Sequence, residues 1–588
     1  MILDLINSPK DLKKLDRALL PELAAEIRNK LITKLSKTGG HLGSNLGFIE
    51  ATIALHYVFD FSVDKLVLDV SHQCYTHKIL TGRKKSFIEP AHYNEYSGYT
   101  NPSESSYDLF AIGHTSTSIS LACGLARARD IIGTKENVVA VIGDGSMSGG
   151  EAFEGLDYAG GELGSNFIII LNDNQMSIAE DHGAIYKNLR DLRESDGKCA
   201  NNIFKALGYE YILIKDGNNL EDLIDVFSKV KDSNHPILIH LCTKKGNGYK
   251  YALENQEWSH WVRPFDVENG QEKNPFKGGE RFDFIVRDHL EELIKSDNKI
   301  AIINSAVPGS LSFTLEHRLK LGKRFSDVGI CEEHAIAMSA GMAKRGIKSV
   351  FFTLGTFYQR AYDQISQEIC INNLPVTMIV VGASIYASRD ITHLGIFALS
   401  LLSNIPNLTV LCPATKEEYL GMLDWSINQT TGPVAVFAPR GGVFSCNYIN
   451  DKRFKEWKKS IEVVKGSKVA IFGLGDFFQF AENIGTNIKN KFGFQPTIIN
   501  PRCASSLDVE LLDEIAIDHK IIITYEDGIL DGGYGQKVAS YFGKYKDIKV
   551  FNFGFKKSFF NRTDLREVFR INHLSELSGI YNEIMKVI

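Results

Sequence analysis

Short runs of β-branched and apolar residues, closed by turn residues and separated by helical stretches, constrain this chain more than any other feature. VVAVIGDG (138–145), NFIIILNDN (166–174) and ILIHLCT (237–243) form a first set. KSVFFTLG (348–355), VTMIVVGAS (376–384), NLTVLCPA (407–414) and VAVFAPRGG (434–442) form a second. KVAIFGLG (468–475), QPTIINPR (495–502), KIIITYED (520–527) and KVFNFGF (549–555) form a third. Runs this short and apolar read as strands of parallel sheets buried on both faces. SISLACGLARARDI (118–131) and EEHAIAMSAGMAKR (332–345) carry helical patterns between them. The alternation predicts an α/β chain of three domains with mostly parallel sheets, and ligands at the carboxyl ends of strands. The polar seams RPFDVENGQEKNPFKGG (263–279) and SCNYINDKRFKEWKKS (445–460) place the domains at 1–270, 280–445 and 460–588. A length of 588 residues exceeds what one core serves.

Composition narrows the classes. A formal net charge of -5 gives no global pull towards nucleic acid or acidic membranes. No apolar run reaches the ~18 residues that span a bilayer, and MILDLINSPKDLKKLD does not resemble a secretory signal. Nine cysteines stand singly, without a CxxC pair. That argues against a zinc site or a disulfide framework and fits a reducing cytoplasm.

The segment GDGSMSGGEAFEGLDYAGGELGSNFIIILNDNQ carries the most chemistry. Asp144 follows one strand inside a glycine turn, and Asn174 follows the next strand, which parallel pairing would put at one sheet edge. A carboxylate, an amide oxygen and a backbone carbonyl are hard ligands suited to Mg2+, which keeps positions for diphosphate oxygens. Gly145 lets the backbone approach a phosphate, and a helix starting near Gly149 aims its N-terminus at the anion. GDG alone reads equally well as a strand–turn–helix with a solvated Asp. With the Asn at this spacing, the pair matches the thiamine-diphosphate signature of transketolase-like enzymes. No GxGxxG opens a first βα unit, and there is no Walker loop.

Around this signature the chain resembles the 1-deoxy-D-xylulose-5-phosphate synthase family. The resemblance runs in collinear order through GGHLGSNLGFIEATIALHYVFD (39–60), SHQCYTHKILTGR (71–83), GHTSTSIS (113–120), LNDNQMSI (171–178) and KKGNGYKY (244–251). It continues through EEHAIAMSAGMA (332–343), TFYQRAYDQ (356–364), THLG (392–395), PRGG (439–442), LDVELL (507–512), TYEDGILDGGYG (524–535) and FNFGFKKSFF (551–560). It implies condensation of pyruvate with D-glyceraldehyde 3-phosphate, with loss of CO2, giving 1-deoxy-D-xylulose 5-phosphate for isoprenoid, thiamine and pyridoxal synthesis. It also implies thiamine diphosphate and Mg2+ as cofactors, a cytoplasmic homodimer, small-molecule substrates, and no nucleic-acid or membrane partner.

Roles carry over where the motif matches. His72, Gly113, His114 and Thr115 resemble the diphosphate contacts, with Gly145 and Ser146 lining the same group. Asp144 and Asn174 resemble the Mg2+ ligands, with the Met176 carbonyl as a third, and Tyr249 corresponds to a cofactor contact. Glu332 resembles the glutamate that protonates the aminopyrimidine ring; the alternative is a helix-start Glu favoured by the macrodipole. Phe357 would stack on that ring or simply pack in the core. Among sixteen histidines, His41, His260 and His393 are the proton-transfer candidates, while His56, His77 and His334 read as structural. Arg360 and Arg440 are candidate anion contacts, or else partners in salt bridges. The polar stretch 180–202 reads as a lid or as a plain surface loop.

The chain departs from the family pattern on the acceptor side. VGASIYASRDITHLG (381–395) stands where the family has DRAG…GADGxTHQG. Counting back from His393, the family's phosphate-contacting Arg falls on Gly382 and its substrate-contacting Asp on Arg389, followed by Asp390. Leu354, Phe437 and Ser71 replace a tyrosine, an arginine and a glycine. Arg389 and Asp390 would take over the lost roles from other backbone positions. The alternatives are a synthase-like ketol-forming relative using another acceptor or donor, and a non-catalytic homologue.

Overall fold

The computed structural model describes residues 1–273, 275, 280–574 and 578–587. Three sheets account for every apolar run named above. The first holds β1 (Lys65–Leu68), β2 (Val138–Gly143), β3 (Phe167–Asp173), β4 (Glu210–Ile214) and β5 (Pro236–Cys242), in the order β1-β2-β3-β5-β4, all parallel. The second holds β6 (Ile300–Asn304), β7 (Phe325–Asp327), β8 (Lys348–Leu354), β9 (Thr377–Val381), β10 (Thr409–Leu411) and β11 (Val434–Phe437). Its order is β10-β11-β9-β8-β6-β7, again all parallel. The third holds β12 (Ile461–Val464), β13 (Lys468–Leu474), β14 (Thr497–Asn500), β15 (His519–Ile529) and β16 (Lys549–Phe555), with only β12 antiparallel.

The chain forms two compact units. One comprises Met1–Gly278 with Gly329–Cys331, the other Gly279–Val328 with Glu332–Ile588. In the first unit, β2 and β3 are buried almost throughout, as strands covered by helices on both faces must be. Their register, Gly143 opposite Asn172, brings the loops after both strands to one edge. In the second unit, the second and third sheets share an interior. Val380, Leu399 and Leu402 belong to the same apolar cluster as Phe472, Leu474, Ile522 and Tyr534. Among the described residues no helix is long and apolar enough to cross a membrane, and all nine cysteines are free thiols.

Candidate active-site residues

In the first unit the chemistry gathers at the carboxyl ends of β2 and β3. Oδ2 of Asp144 accepts the backbone N–H groups of Asn174 (3.0 Å), Gln175 (2.6 Å) and Met176 (3.2 Å). Gln175 adopts a left-handed φ of +65° to present its amide, a conformation costly for a residue with a side chain. Burial, and then the charges of Asp181 and Asp173, push the Asp144 carboxyl well above its ordinary range. Burial, followed by Asp173, lifts Asp181 to about 7. Asn174 Oδ1 and both Asp181 carboxylate oxygens are buried without a hydrogen-bond partner among the described residues.

Unsatisfied oxygen lone pairs beside crowded negative charge are the environment a hard divalent cation relieves. The residues therefore fit Mg2+ held by Asp144, Asn174 and the Met176 carbonyl. Lys245 supplies positive charge nearby. Its ammonium donates to the Ser177 carbonyl at 2.6 Å, and burial lowers its pKa to about 8 against the pull of Asp144 and Asp181.

The loop after β2 packs too tightly for side chains at two glycines. A Cβ at Gly145 would stand 3.0 Å from Ser177, and one at Gly149 only 2.2 Å from Ser116 Oγ. A short 3-10 turn, Gly145–Ser148, then leads into the helix Gly150–Tyr158. Ser116 Oγ donates to the Ser146 carbonyl at 2.8 Å, tying the segment of Gly113, His114 and Thr115 to this loop. Asp69, just after β1, accepts the N–H groups of Ser116 (2.8 Å) and Ser118 (3.0 Å). Two residues on, Ser71 adopts φ +62°, while its hydroxyl donates to the Ile112 carbonyl (2.7 Å) and accepts from the Thr100 N–H (2.9 Å). That conformation suits the glycine for which Ser71 substitutes, and the two hydrogen bonds offset the strain.

His41, His72 and His260 form one cluster, with ring centroids 5.1 Å, 5.7 Å and 5.2 Å apart. Asn45 assembles it by donating to the carbonyls of His41 (2.8 Å) and His72 (2.7 Å). Reciprocal backbone bonds of 2.9 Å between Gly40 and Val262 bring in the His260 segment. Burial, then Lys245 and the other two rings, hold His260 neutral by pushing its pKa well below the usual value. Tyr249 packs its ring against Tyr251 and Phe265, and its hydroxyl donates to the Val267 carbonyl at 2.9 Å. His56 and His77 are buried 2.9 Å apart, with His77 on Asp108 and Arg83 on the same carboxylate, a structural network.

The stretch 180–202, open in the sequence between a lid and a plain loop, contains the helix Ala184–Glu194. Leu189 and Leu192 are buried beneath it, and Arg193 forms an ion pair with Asp173, so it is neither irregular nor detached.

In the second unit Glu332 opens the helix Glu332–Lys344 and is 2% exposed. Burial lifts its carboxyl to about 7, against the opposing charge of Arg360. Its Oε2 is buried without a hydrogen-bond partner among the described residues. An acid poised to titrate near neutrality with an unpartnered oxygen suits hydrogen bonding and proton exchange with a heteroaromatic ring nitrogen. Arg360 follows Phe357 in one turn, its N–H on the Phe357 carbonyl at 3.1 Å. The Phe357 and His393 rings meet edge to face at 5.9 Å. Burial lowers the His393 pKa, with Asp390 opposing. Asp390 orders its own loop, accepting the N–H (3.0 Å) and hydroxyl (2.7 Å) of Thr392, whose oxygen lies 2.8 Å from His393 Nδ1. The Arg389 carbonyl accepts the Arg562 N–H at 2.7 Å. Arg440 has a buried Nε without a partner among the described residues. Gly382 takes φ +69°, and its nearest neighbours, Ala387 and Leu354, would lie 3.6 and 3.7 Å from an added Cβ.

Sequence reasoning did not single out Asp69, Asp181 or Lys245. Asp69 and Lys245 each follow a strand of the first sheet, β1 and β5, and that position was the available signal. Asp181 lies outside any regular element, and only its burial reveals it.

Comparison with known proteins gives a consistent pattern. The family description 1-deoxy-D-xylulose-5-phosphate synthase matches residues 3–200 and 195–243. The transketolase pyrimidine binding domain matches 283–444, and the transketolase C-terminal domain matches 458–572. A 1-deoxy-D-xylulose-5-phosphate synthase of Caldanaerobacter subterraneus subsp. tengcongensis is 38% identical over 607 residues, covering 97% of this chain and 96% of the relative. The protein of that name in Clostridium perfringens strain SM101 is 37% identical over 625 residues, covering 100% of each chain. That of Carboxydothermus hydrogenoformans is 37% identical over 613 residues, covering 98% of this chain and 97% of the relative.

Proposed function

The chain belongs to the 1-deoxy-D-xylulose-5-phosphate synthase family, and we propose that the candidate residues described above in each unit serve that family's reaction. The reaction condenses pyruvate with D-glyceraldehyde 3-phosphate, releases CO2 and gives 1-deoxy-D-xylulose 5-phosphate. The enzyme is a transketolase-type transferase dependent on thiamine diphosphate and Mg2+. When bound, thiamine diphosphate supplies the electron sink for decarboxylation and carbon–carbon bond formation.

The protein's share is binding, orientation and proton transfer. Asp144, Asn174 and the Met176 carbonyl would hold Mg2+. His72, Gly113, His114, Thr115, Gly145 and Ser146 serve the diphosphate, and Tyr249 supports the cofactor from the core. Glu332 would hold or release a proton at its unpartnered Oε2 towards the aminopyrimidine of the bound cofactor, and Phe357 would pack against that ring. His41, His260 and His393, two of them held neutral by burial, move protons at the donor and acceptor oxygens. Arg440 and Arg389 take the acceptor phosphate, and Arg360 tunes Glu332 besides offering an anion contact. The protein works as a cytoplasmic homodimer.

The observation that carries this reading is Glu332, a buried acid raised to about 7 with one oxygen left unpartnered. Gly382 favours a second reading, a ketol-forming relative with another acceptor, because no guanidinium stands at that position. The deciding assay supplies purified protein with thiamine diphosphate, Mg2+ and pyruvate, with and without D-glyceraldehyde 3-phosphate. CO2 and sugar product are followed by mass spectrometry. Product of deoxyxylulose 5-phosphate mass, lost in Glu332→Ala, is the expected result. Turnover with other aldehydes only would establish the second reading.

A further inference from the structure

Asp173, buried beside the metal loop, is not among the assigned ligands. It ends β3, directly before Asn174, and is 1% exposed. Its Oδ1 accepts the N–H of Gln175 at 3.1 Å, the same N–H that Asp144 Oδ2 accepts at 2.6 Å. The amide of the left-handed residue is thus shared by two carboxylates. Gln175 stands between Asn174 and Met176 in the chain, so its backbone torsions set how the Asn174 amide oxygen and the Met176 carbonyl lie relative to each other.

Behind Asp173 lies a row of buried polar groups. Its Oδ2 pairs with His240 Nε2 at 2.7 Å, and His240 Nδ1 pairs with the Tyr211 hydroxyl at 2.8 Å. A carboxylate only accepts, so Nε2 carries a hydrogen and donates it, which orients the ring and leaves Nδ1 to the phenol. Parallel pairing sets His240 of β5 between Leu171 of β3 and Leu213 of β4, and Phe204 stacks on the Tyr211 ring with centroids 5.9 Å apart. Arg193 of the helix Ala184–Glu194 forms an ion pair with Asp173 Oδ2 and reaches Gln175 Oε1 at 3.4 Å. Donors from a strand, a helix and the loop itself therefore fix one carboxylate.

We propose that Asp173, backed by His240 and Tyr211, is a positioning residue for the metal: it holds Gln175 in its left-handed conformation, so that the Asn174 oxygen and the Met176 carbonyl stand ready as a pair. This rests on the assignment of Mg2+ to Asp144, Asn174 and Met176. Mg2+ demands near-octahedral geometry at short distances, whereas Ca2+ accepts longer and more varied ones. A loop fixed in advance favours the stricter ion, and a loosened loop loses that preference. Groups that orient metal ligands from behind typically contribute about 10- to 100-fold in affinity.

The test titrates Mg2+ and, separately, Ca2+ calorimetrically into the full chain saturated with thiamine diphosphate. Asp173→Asn should weaken Mg2+ by at least about tenfold and Ca2+ by clearly less, so the Mg2+-over-Ca2+ ratio falls. Its lost charge acts on both divalent ions alike, and the ratio isolates geometry from charge. Tyr211→Phe changes no charge and keeps the ring against Phe204. It should weaken Mg2+ by about threefold, again with less effect on Ca2+, and it serves if the asparagine variant folds poorly. Variants that unfold at lower temperature yet keep wild-type Mg2+ affinity, or that lose both ions by the same factor, overturn the proposal. Wild-type protein that takes up thiamine diphosphate without any divalent cation refutes the metal assignment itself, and the proposal with it.

Discussion

The Asp144 carboxylate accepts the backbone N–H of Asn174 at 3.0 Å while the Asn174 side-chain oxygen stays buried and unpartnered among the described residues. One residue's carboxylate thus shapes the loop that presents the other's amide oxygen to a metal. Asp144→Ala should abolish the stabilisation that thiamine diphosphate and Mg2+ confer. In wild type, ligand at about a hundredfold over its Kd adds about 2.7 kcal/mol. Calorimetric unfolding with and without both ligands checks this, and an undiminished shift in the variant would remove Asp144 from the metal set.

Glu332→Gln should cost activity and gain alkaline stability. General acid–base catalysis contributes about 10²–10⁴-fold, and the rate should fall by that order. The native carboxyl holds its proton up to about 7 against an ordinary value of 4.5. The native state therefore binds the extra proton across that window, and wild-type stability declines as pH rises through it. The full shift corresponds to about 3 kcal/mol, which the glutamine does not lose. Denaturant unfolding at about pH 5 and about pH 8 should show the variant's advantage only at the higher value.

Ser71 separates strain from hydrogen bonding. Ser71→Ala keeps φ +62° and loses the bonds to Ile112 and Thr100, so it should cost about 2–3 kcal/mol. Ser71→Gly loses the same bonds but relieves the strain, and should cost about 1 kcal/mol. Equal losses in the two variants would mean that the left-handed backbone carries no energetic burden.

Arg440→Ala and Arg389→Ala should each raise the acceptor requirement selectively. Losing a guanidinium–phosphate contact costs about 2–3 kcal/mol, a fall in kcat/KM of roughly 30- to 150-fold. Unphosphorylated glyceraldehyde should be used equally by variant and wild type. A variant that loses both acceptors alike has lost its fold or its chemistry, not a phosphate contact.

The apolar runs gave away the sheets because β2, β3, β9 and β15 are central strands whose Val and Ile residues face helices on both sides. Most of the strands that escaped notice are short or peripheral, the exception being β6, whose IAIIN run is fully buried between β8 and β7. β1 has four residues, β7 is only FSD, and β4 lies at a sheet edge with half-exposed side chains. The Asp144–Asn174 pair was legible because both residues sit directly after central strands. Asp181 was not, since its proximity to Asp144 depends on how an irregular segment folds back. The family resemblance separated His260 from His77, a difference that burial alone does not show. Both are buried and depressed in pKa, and in the structure their neighbours, Lys245 and two rings in one case and Asp108 with Arg83 in the other, tell them apart.

The interior common to the second and third sheets bears on how such a chain can be recombined. A cut at the polar seam 445–460 would divide the chain between sheets, yet it would leave Leu399 and Leu402 on one fragment and Leu474, Ile522 and Tyr534 on the other, all stripped of cover. Each fragment would bury less apolar surface than its length calls for. Exchange between homologues is therefore penalised at that seam, so Asp476 and Asp527 are inherited together with the loops whose Arg440 and Ile385 N–H groups they accept.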